Sequence, residues 1–259
     1  MLKLLLTATA PVASFAIACA IAAPASSQDA SANPYWGGWY VGANVGGSWA
    51  DTKLRTTVTT ANPLGALASA DAAAISAASH DTSNKAGFTG GAQAGYNYVY
   101  DNQWLFGGEV DWEGIDIRSA SNRAVPSTVV PGAVYNLSQE VSAGWLATLR
   151  PRVGYIYNNN LLLYGTIGFA WADLKYQASL STNTNLPPIS AESNTTKTGW
   201  AGGVGLGYAF NPHWSMRGEW LYTDLGHANT AAVSGTYATV KPDDNVAANL
   251  VRVGLDYRF

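Results

Sequence analysis

The chain has few charges and almost no cysteine. Charged residues make up 12% of its 259 residues, against roughly 25% in ordinary globular domains. A single cysteine, Cys19, excludes both a disulfide framework and a Cys-ligated zinc site. The net charge of −3 gives no support to a nucleic-acid-binding surface.

Long apolar runs and enzyme motifs are missing as well. Beyond the N-terminal stretch, no segment has the roughly 18 uninterrupted apolar residues that a membrane helix needs, which excludes a bundle of such helices. No G-x-S-x-G, P-loop, H-E-x-x-H or C-x-x-C motif occurs, so the chain is not expected to be an enzyme or to hold a cofactor. The GGVGLG string at 202–207 resembles a nucleotide loop, but its glycines repeat with the period of a strand.

Glycine and aromatic residues are abundant instead. The chain has 27 Gly, 10 Trp, 14 Tyr and 6 Phe. Few charges, many aromatic rings and no helical span together indicate a β-rich wall that faces lipid.

The N-terminus is predicted to be an export signal. Residues 1–25 contain an apolar stretch that ends in the small-residue cleavage sequence APA at 23–25. A lipoprotein signal would use Cys19, but the residues at 16–18 before it lack the usual Leu. Residues 26–34 are predicted to be a flexible leader, and residues 35–259 to form the folded domain.

The dominant pattern is an alternation of apolar with small or polar residues, which is typical of strands with two different faces. Trp39 and Val41 share one face of the first run, while Gly42 and Asn44 share the other. Eight runs alternate in this way, at 37–49, 88–98, 104–113, 145–155, 161–171, 198–208, 214–223 and 249–259. Each run has about 10 residues, enough to cross a bilayer core when tilted.

The links between these runs alternate in length. Short links at 99–103, 156–160 and 209–213 are rich in Asn, Asp and Pro, as tight turns require. The long links are at 50–87, 114–144, 172–197 and 224–248. This predicts an all-β fold, an eight-stranded antiparallel up-and-down transmembrane β-barrel with short periplasmic turns and four long extracellular loops. A soluble β-sandwich is the weaker alternative, because here the continuous face is the apolar one.

Aromatic residues fall at two levels once the apolar face is assigned to lipid. The loop ends of the strands carry Trp49, Trp112, Trp145, Trp171, Trp200 and Tyr222. The turn ends carry Tyr96, Tyr98, Trp104, Tyr155, Tyr208, Trp214, Tyr257 and Phe259. Two such belts are expected at the two water–lipid interfaces.

The opposite face carries the charges. It holds five acids and five bases, which are Glu109, Asp111, Glu113, Glu219, Asp256, Arg150, Arg152, Arg217, Arg252 and Arg258. Eight strands enclose an interior that side chains can just fill, so these residues are predicted to form a salt-bridge network that plugs the lumen. Glu109 and Asp111 should lie opposite or diagonal to Arg150 and Arg152 on the next strand. The alternative is a narrow or gated pore whose ion pairs exchange partners.

Three segments resemble one known family. They are WGGWYVGANVGG at 36–47, WLFGGEVDWEGIDI at 104–117 and VRVGLDYRF at 251–259. They are similar to the corresponding segments of the small alphaproteobacterial outer-membrane surface-antigen and porin-like β-barrels, and the likeness covers the predicted strands but not the loops. The resemblance implies an integral outer-membrane protein with a mainly structural or surface role. Some members of that family are described as porins and others as haem-binding surface proteins.

The last strand suggests a partner. Leu255, Tyr257 and Phe259 alternate along it, and an apolar strand that ends in an aromatic residue resembles the signal read by the barrel-assembly machinery, which pairs with a free strand edge. The alternative is simply a strand that faces lipid. The expected partners are therefore outer-membrane lipid and the assembly machinery, with no nucleic acid.

The loops leave two questions open. The first link is rich in Ala, Ser and Thr, which fits either a mobile tip or a short apolar helix near 66–79 on the surface. His80, His213 and His227 lie far apart in loops or a turn, so they are predicted to be solvated rather than to bind metal. A haem or host-ligand site at the loops remains an alternative function.

Overall fold

The computed structural model describes residues 33–54, 56–60, 67–229, 233–235 and 238–259. The predicted signal at 1–25 and residues 26–32 of the predicted leader lie outside these ranges. Asn33, near the end of that leader, is buried, and its side-chain oxygen accepts a hydrogen bond of 2.9 Å from the N–H of Tyr35. Within the described ranges no helix is long and apolar enough to span a lipid bilayer.

Eight long antiparallel strands form a closed ring. In chain order the elements are β1 (Gly38–Leu54), β2 (Thr56–Thr60), α1 (Ser69–Ala78), β3 (Asp81–Tyr100), β4 (Trp104–Pro126), β5 (Val134–Tyr157), β6 (Leu161–Thr182), β7 (Ile189–Ala209), β8 (Trp214–Asn229), β9 (Val233–Ser234) and β10 (Ala238–Arg258). The ring runs β1-β3-β4-β5-β6-β7-β8-β10 and closes where β10 pairs with β1. The predicted eight-stranded antiparallel barrel is confirmed.

The short turns have the local chemistry that the sequence indicates. Asp101 and Asn102 both lie in the left-handed region, with φ of 52° and 54°. Asn158 and Asn159 do the same in the next turn. Asn and Asp tolerate this conformation better than other residues with a Cβ, and tight hairpin turns often require it. The Asn and Asp residues of these three-residue links therefore suit the backbone that the turns adopt.

The strands are longer than the sequence pattern predicts. They range from 16 residues in β8 to 24 in β5, against the expected 10 or so. Most of the predicted loops at 114–144 and 172–197 therefore belong to strands, and only residues 127–133 and 183–188 remain as links there.

Above the upper aromatic belt, the inward side chains of the strands are apolar and the outward ones are polar, which reverses the arrangement below it. On β4, Trp112 points outward and Asp111 is buried inside. Further up the same strand, Ile115 and Ile117 are buried inside, while Asp116 is exposed outside. The outer face meets lipid in the lower part and water in the upper part. Apolar side chains therefore avoid water by facing outward in the lower part and inward in the upper part.

The ring divides into two sheets at this level. The β3–β4 ladder ends at Thr89 and Ile115, and the β7–β8 ladder ends at Trp200 and Asp224. Beyond these pairs β4, β5, β6 and β7 continue as a four-stranded sheet. We call the part of the molecule beyond these pairs the extension and the part below them the membrane barrel.

Backbone irregularities mark the boundary between the two parts. Register shifts occur between Gly114 and Ile117 on β4 and between Ala143 and Leu146 on β5. Gly226 of β8 has a φ of 67°, in the left-handed region that favours glycine. Such bulges and kinks bend a strand locally, which lets the strands leave their ring neighbours here.

The first long link folds into the extension. β2 pairs with Ala238–Pro242 of β10, and Ala72 and Ile75 of α1 are buried in an apolar cluster with the inner face of the extension. The expected helix near 66–79 is therefore present as α1, but it lies inside the extension and not on its surface. It is stabilised there because the inner face is apolar at this height.

Candidate functional site

The predicted charged residues all lie in the lumen of the membrane barrel. Each of the ten is buried, with at most 5% of its surface exposed. They stand on two neighbouring pairs of strands on opposite sides of the ring, β4 with β5 and β8 with β10. Charges from the two sides can therefore meet across the lumen.

Glu109 lies at the centre of this charged layer. Its Oε1 accepts a hydrogen bond of 3.0 Å from Nη2 of Arg150, its partner in the β4–β5 register. Its Oε2 accepts hydrogen bonds from the hydroxyl of Tyr40 at 2.6 Å, from Nη1 of Arg152 at 3.4 Å and from Arg217. One carboxylate thus joins β1, β4, β5 and β8.

A second set of bridges crosses the lumen above Glu109. Arg150 contacts Asp111 at 2.7 Å on the adjacent strand and Glu219 at 2.9 Å on the far side. Arg252 of β10 contacts Glu219, its register partner on β8, at 2.6 Å. It also reaches across the lumen to Asp111 at 3.2 Å and to Glu113. The pairs that cross the lumen come from the closed shape of the ring, and the register of adjacent strands alone does not predict them.

Uncharged side chains complete the layer. Three donate hydrogen bonds of 2.6–2.8 Å to its carboxylates, Thr148 to Asp111, Thr89 to Glu113 and Gln93 to Asp256. A buried charge is tolerated only when partners satisfy it, so removing one member leaves the others uncompensated. Sequence reasoning missed these residues and Tyr40, although all of them share the inward parity of the charged positions.

Arg258 does not join the charged layer, contrary to the sequence prediction. Its Nη1 donates to the carbonyl of Pro212 at 3.3 Å, and its guanidinium lies 5.3 Å from the ring centre of Trp36. No carboxylate in the described part of the chain lies within ion-pair distance of it. Arg258 is at the turn end of β10, below the level that the lumen acids occupy, which explains the difference.

Trp36 closes the lumen at the turn end. Its indole N–H donates to the carbonyl of Asn159 at 2.9 Å, and its own carbonyl accepts from Asn97 at 3.0 Å. The ring is buried in an apolar cluster with Leu105 and Leu162. The sequence showed Trp36 only as the first residue of a motif, so this role was not predicted.

Glycines of the lumen wall make room for the large side chains. A Cβ at Gly205 would collide with the ring of Tyr164, and one at Gly207 with the indole of Trp36. The GGVGLG string at 202–207 is therefore part of a strand whose inward glycines leave room for large side chains. This agrees with the prediction that its period is that of a strand.

An apolar layer closes the lumen above the charges. It includes Ile115, Leu146, Leu221 and Leu250, all buried. A cavity of about 20 Å³ remains in this layer, and its lining is almost entirely apolar. That volume holds about one water molecule, and an apolar cavity of this kind stays dry.

The predicted belt residues all lie on the outer face. Of the upper set, Trp49, Trp112 and Trp200 are exposed, while Trp145, Trp171 and Tyr222 are half-buried. The lower set is exposed at every predicted position, namely Tyr96, Tyr98, Trp104, Tyr155, Tyr208, Trp214, Tyr257 and Phe259. Rings from adjacent strands pack on each other at both levels, with centroid distances of 5.4 Å for Trp200 with Tyr222 and for Trp104 with Tyr155.

The C-terminal strand presents its alternating apolar residues outward. Leu255, Tyr257 and Phe259 are exposed on the outer face. The two edges of β10 pair with β1 and β8. The strand therefore has a free edge only before the barrel closes.

The three histidines belong to different parts of the chain. His80 is exposed just after α1, and His213 lies in the third turn, where its Nδ1 is 3.0 Å from the carbonyl oxygen of Arg258. His227 lies within β8. Among the residues described, no group of three or more His, Cys, Asp or Glu side chains could hold a metal ion.

Comparison with known proteins gives a consistent result. A family model described as "Outer membrane protein beta-barrel domain" matches residues 15–259. The 31 kDa outer-membrane immunogenic protein of Brucella melitensis is 32% identical over 224 residues, which cover 86% of this chain and 84% of that protein. The 22 kDa outer membrane protein of Rhizobium leguminosarum is 28% identical over 175 residues, 67% of each chain. Among solved structures, OprG from Pseudomonas aeruginosa matches with a TM-score of 0.46 at 14% identity, over 87% of this chain and 97% of OprG.

Proposed function

We propose, from the premise that this chain belongs to the outer-membrane β-barrel protein family, that its barrel is sealed and does not conduct solutes. The protein is an integral component of the bacterial outer membrane, as its named relatives are, and its role there is structural and at the cell surface. The sealed lumen is what distinguishes this role from that of a porin.

The observation that carries the proposal is the filling of the lumen at three successive levels. Trp36 and its apolar neighbours fill the turn end, and the charged layer around Glu109 fills the middle. The apolar layer above it contains a cavity of about 20 Å³, which is too small for a solute. A pore would require all three levels to open together, and opening the charged layer alone would expose unpaired arginines to a narrow, water-poor space.

Single-channel recording in planar bilayers tests this proposal. The mature chain, refolded and shown to be inserted by its heat-modifiable gel mobility, should give no conductance steps above the bilayer background. A known porin from the same preparation serves as the positive control. Reproducible steps from the inserted protein would overturn the proposal and favour the gated pore.

We propose further that the protein is not an enzyme. The buried carboxylates of the lumen are engaged by arginines, and the layers above and below them leave no space for a substrate. The absence of turnover therefore follows from the same filling that blocks conduction.

The C-terminal strand supports a role for the barrel-assembly machinery as a partner. Leu255, Tyr257 and Phe259 present an apolar outer face, and the strand edge is free until β10 pairs with β1. Deleting Phe259 should slow assembly in cells but leave refolding in detergent unchanged. Equal effects in both settings would mean that Phe259 acts only through packing in the lipid-facing belt.

A further inference from the structure

The inner face of the extension is an apolar wall with a filled interior. Leu137, Val141, Tyr176 and Leu180 are among the buried side chains of this wall. The space in front of the wall is occupied by Leu67, by β2 and by α1. The wall therefore has the form of a pocket that a segment of the chain itself fills.

α1 is a weak filler for this pocket. Its sequence is SADAAAISAA, and the only apolar side chains it buries are those of Ala72 and Ile75. Its N-terminus has no side-chain cap. An alanine contributes a single methyl group to packing, so most of the helix gains little from its position.

Side-chain hydrogen bonds hold α1 in place. The carboxylate of Asp71 accepts hydrogen bonds from the Ser127 hydroxyl at 2.6 Å, from the Thr128 N–H at 2.7 Å and from the Thr128 hydroxyl at 2.9 Å. At the other end of the helix, the hydroxyls of Ser76 and Ser79 bond to the backbone of β2. We call these hydrogen bonds of Asp71, Ser76 and Ser79 the latch of α1.

Two polar side chains of the wall face the pocket without partners. Gln139 is 2% exposed and Ser119 is 1% exposed. In the described part of the chain, neither atom of the Gln139 amide and no atom of the Ser119 side chain has a hydrogen-bond partner. Burying an amide without partners opposes folding, and native proteins rarely retain such a group without a use for it.

The two side chains lie close enough to act together. Gln139 stands between Leu137 and Val141 on the inner face of β5, and Ser119 is paired with Val141 in the β4–β5 register. The two positions are thus diagonal neighbours, whose Cα atoms are roughly 7–8 Å apart in an antiparallel pair. A small group placed between them could bond to both.

We propose that this wall binds a small uncharged molecule with an apolar body and one amide or hydroxyl head, and that α1 occupies its place until it binds. The Gln139 amide offers one donor group and one acceptor to such a head, and the Ser119 hydroxyl offers another. Asp71, the one buried charged side chain in the described extension, belongs to α1 and leaves with it, so a charged head would be left without a partner. The charged layer below remains closed in both states, so this binding site is independent of the sealed lumen.

A titration with three six-carbon probes tests the proposal. Hexanamide, hexanoate and hexylammonium share one apolar chain and differ only in the head group. The refolded protein in detergent should bind hexanamide about tenfold more tightly than either charged probe, with a shift of the Gln139 side-chain amide resonance in the NMR spectrum. Equal affinities for the three probes would overturn the proposal.

Gln139→Leu isolates the polar contact. Leu has a similar size and no hydrogen-bonding group, so this variant should fold and lose the preference for hexanamide. Gln177→Leu is the matched control, because Gln177 lies on the outer face of β6 and is exposed. If Gln139→Leu keeps the preference, or if the control loses it, the assignment of the site is wrong.

A reversible crosslink tests the role of α1. Asp71→Cys combined with Thr128→Cys allows a short bifunctional methanethiosulfonate reagent to tie α1 to the β4–β5 link, and the mature chain used for refolding lacks Cys19 of the predicted signal. The tied protein should not bind hexanamide, and a reductant should restore binding. Unchanged binding in the tied state would overturn the proposal even if Gln139→Leu fails to fold. None of these results depends on whether the barrel conducts.

Discussion

On strand β4, residues 105–119 keep one alternation of inward and outward side chains across both regions. Between 109 and 117, the inward side chains are charged in the membrane barrel and apolar in the extension. In the membrane barrel, Val110 and Trp112 face lipid while Asp111 is buried among arginines. In the extension, Ile117 is buried inside and Asp116 faces water. The comparison teaches that the medium outside the wall, lipid or water, decides which face of a strand carries the apolar side chains.

The two regions also differ in the surroundings that they give to a buried glutamine. In the membrane barrel, Gln93 donates to Asp256 and accepts from Asn44. In the extension, Gln139 is as deeply buried and has no such partners in the described chain. The lumen of the membrane barrel surrounds its glutamine with polar and charged side chains, whereas the inner face of the extension surrounds Gln139 with apolar ones.

The largest expected effect is at the centre of the charged layer. Glu109→Gln should lower the free energy of unfolding by about 3–5 kcal/mol, because it leaves several buried arginines with too little negative charge. Glu140→Gln, on the exposed outer face of the extension, should change it by no more than about 0.5 kcal/mol. Urea titration of the refolded proteins measures both.

A double variant sharpens this prediction. Adding Arg150→Met to Glu109→Gln should restore part of the loss, since one of the uncompensated charges is then removed. A coupling energy of zero would mean that water screens the lumen charges, which contradicts a filled membrane barrel.

The second effect concerns the outer faces of one strand. Val204 and Thr196 both point outward on β7, the former in the membrane barrel and the latter in the extension. Val204→Arg should cost about 2–4 kcal/mol because the charge enters lipid. Thr196→Arg should cost less than about 0.5 kcal/mol because it stays in water. Similar costs would show that the boundary between the two regions has been placed wrongly.

The third effect has opposite signs in the two regions. Gln93→Leu should destabilise the protein by about 1–3 kcal/mol, because Asp256 and Asn44 each lose a partner. Gln139→Leu should stabilise it by about 1 kcal/mol, because a buried amide without partners is removed. Thermal or urea unfolding of the pair decides the matter, and a loss of stability in both variants would refute the comparison.

The smallest effect is local to the latch of α1. Asp71→Asn should leave global stability nearly unchanged and lower the free energy of local opening of α1 by about 1 kcal/mol, as measured by hydrogen exchange. Burial raises the pKa of Asp71, but the hydrogen bonds from Ser127 and Thr128 outweigh it and hold the pKa below its ordinary value.

The pH dependence of this effect follows from the direction of the shift. A lowered folded-state pKa gives stability that is fully present above the ordinary Asp pKa of about 3.9 and is lost as the pH falls through the folded value. The difference between wild type and Asp71→Asn should therefore be largest near neutral pH and shrink in acid. A difference that grows in acid would mean that the carboxylate is not the group that holds α1.

The alternation of the sequence predicted the barrel because lipid imposes one rule on all eight strands. It did not predict their length, because near Gly114 and near Ala143 the apolar side chains change face and the register shifts. A pattern that inverts in this way resembles the end of a strand. The helix at 69–78 was recognised as possible, but its place inside the extension depends on a wall that only the longer strands create.

The sequence predicted most of the residues that form the charged layer, but it did not predict which of them pair across the lumen. Register alone pairs Glu109 with Arg150, as the structure shows. The contacts of Glu219 with Arg150 and of Arg217 with Glu109 cross the lumen, so they depend on the curvature of the closed ring. Arg258 shares the parity of the layer but not its height, and parity does not encode height.

The inward glycines that face large aromatic side chains limit which substitutions the lumen can accept. Gly95 faces the hydroxyl end of Tyr40, as Gly205 faces Tyr164. In each pair one strand supplies nearly the whole volume and the other supplies none, so neither residue can be replaced alone without a clash or a void. In related sequences we therefore expect the glycine and the aromatic residue of each pair to change together.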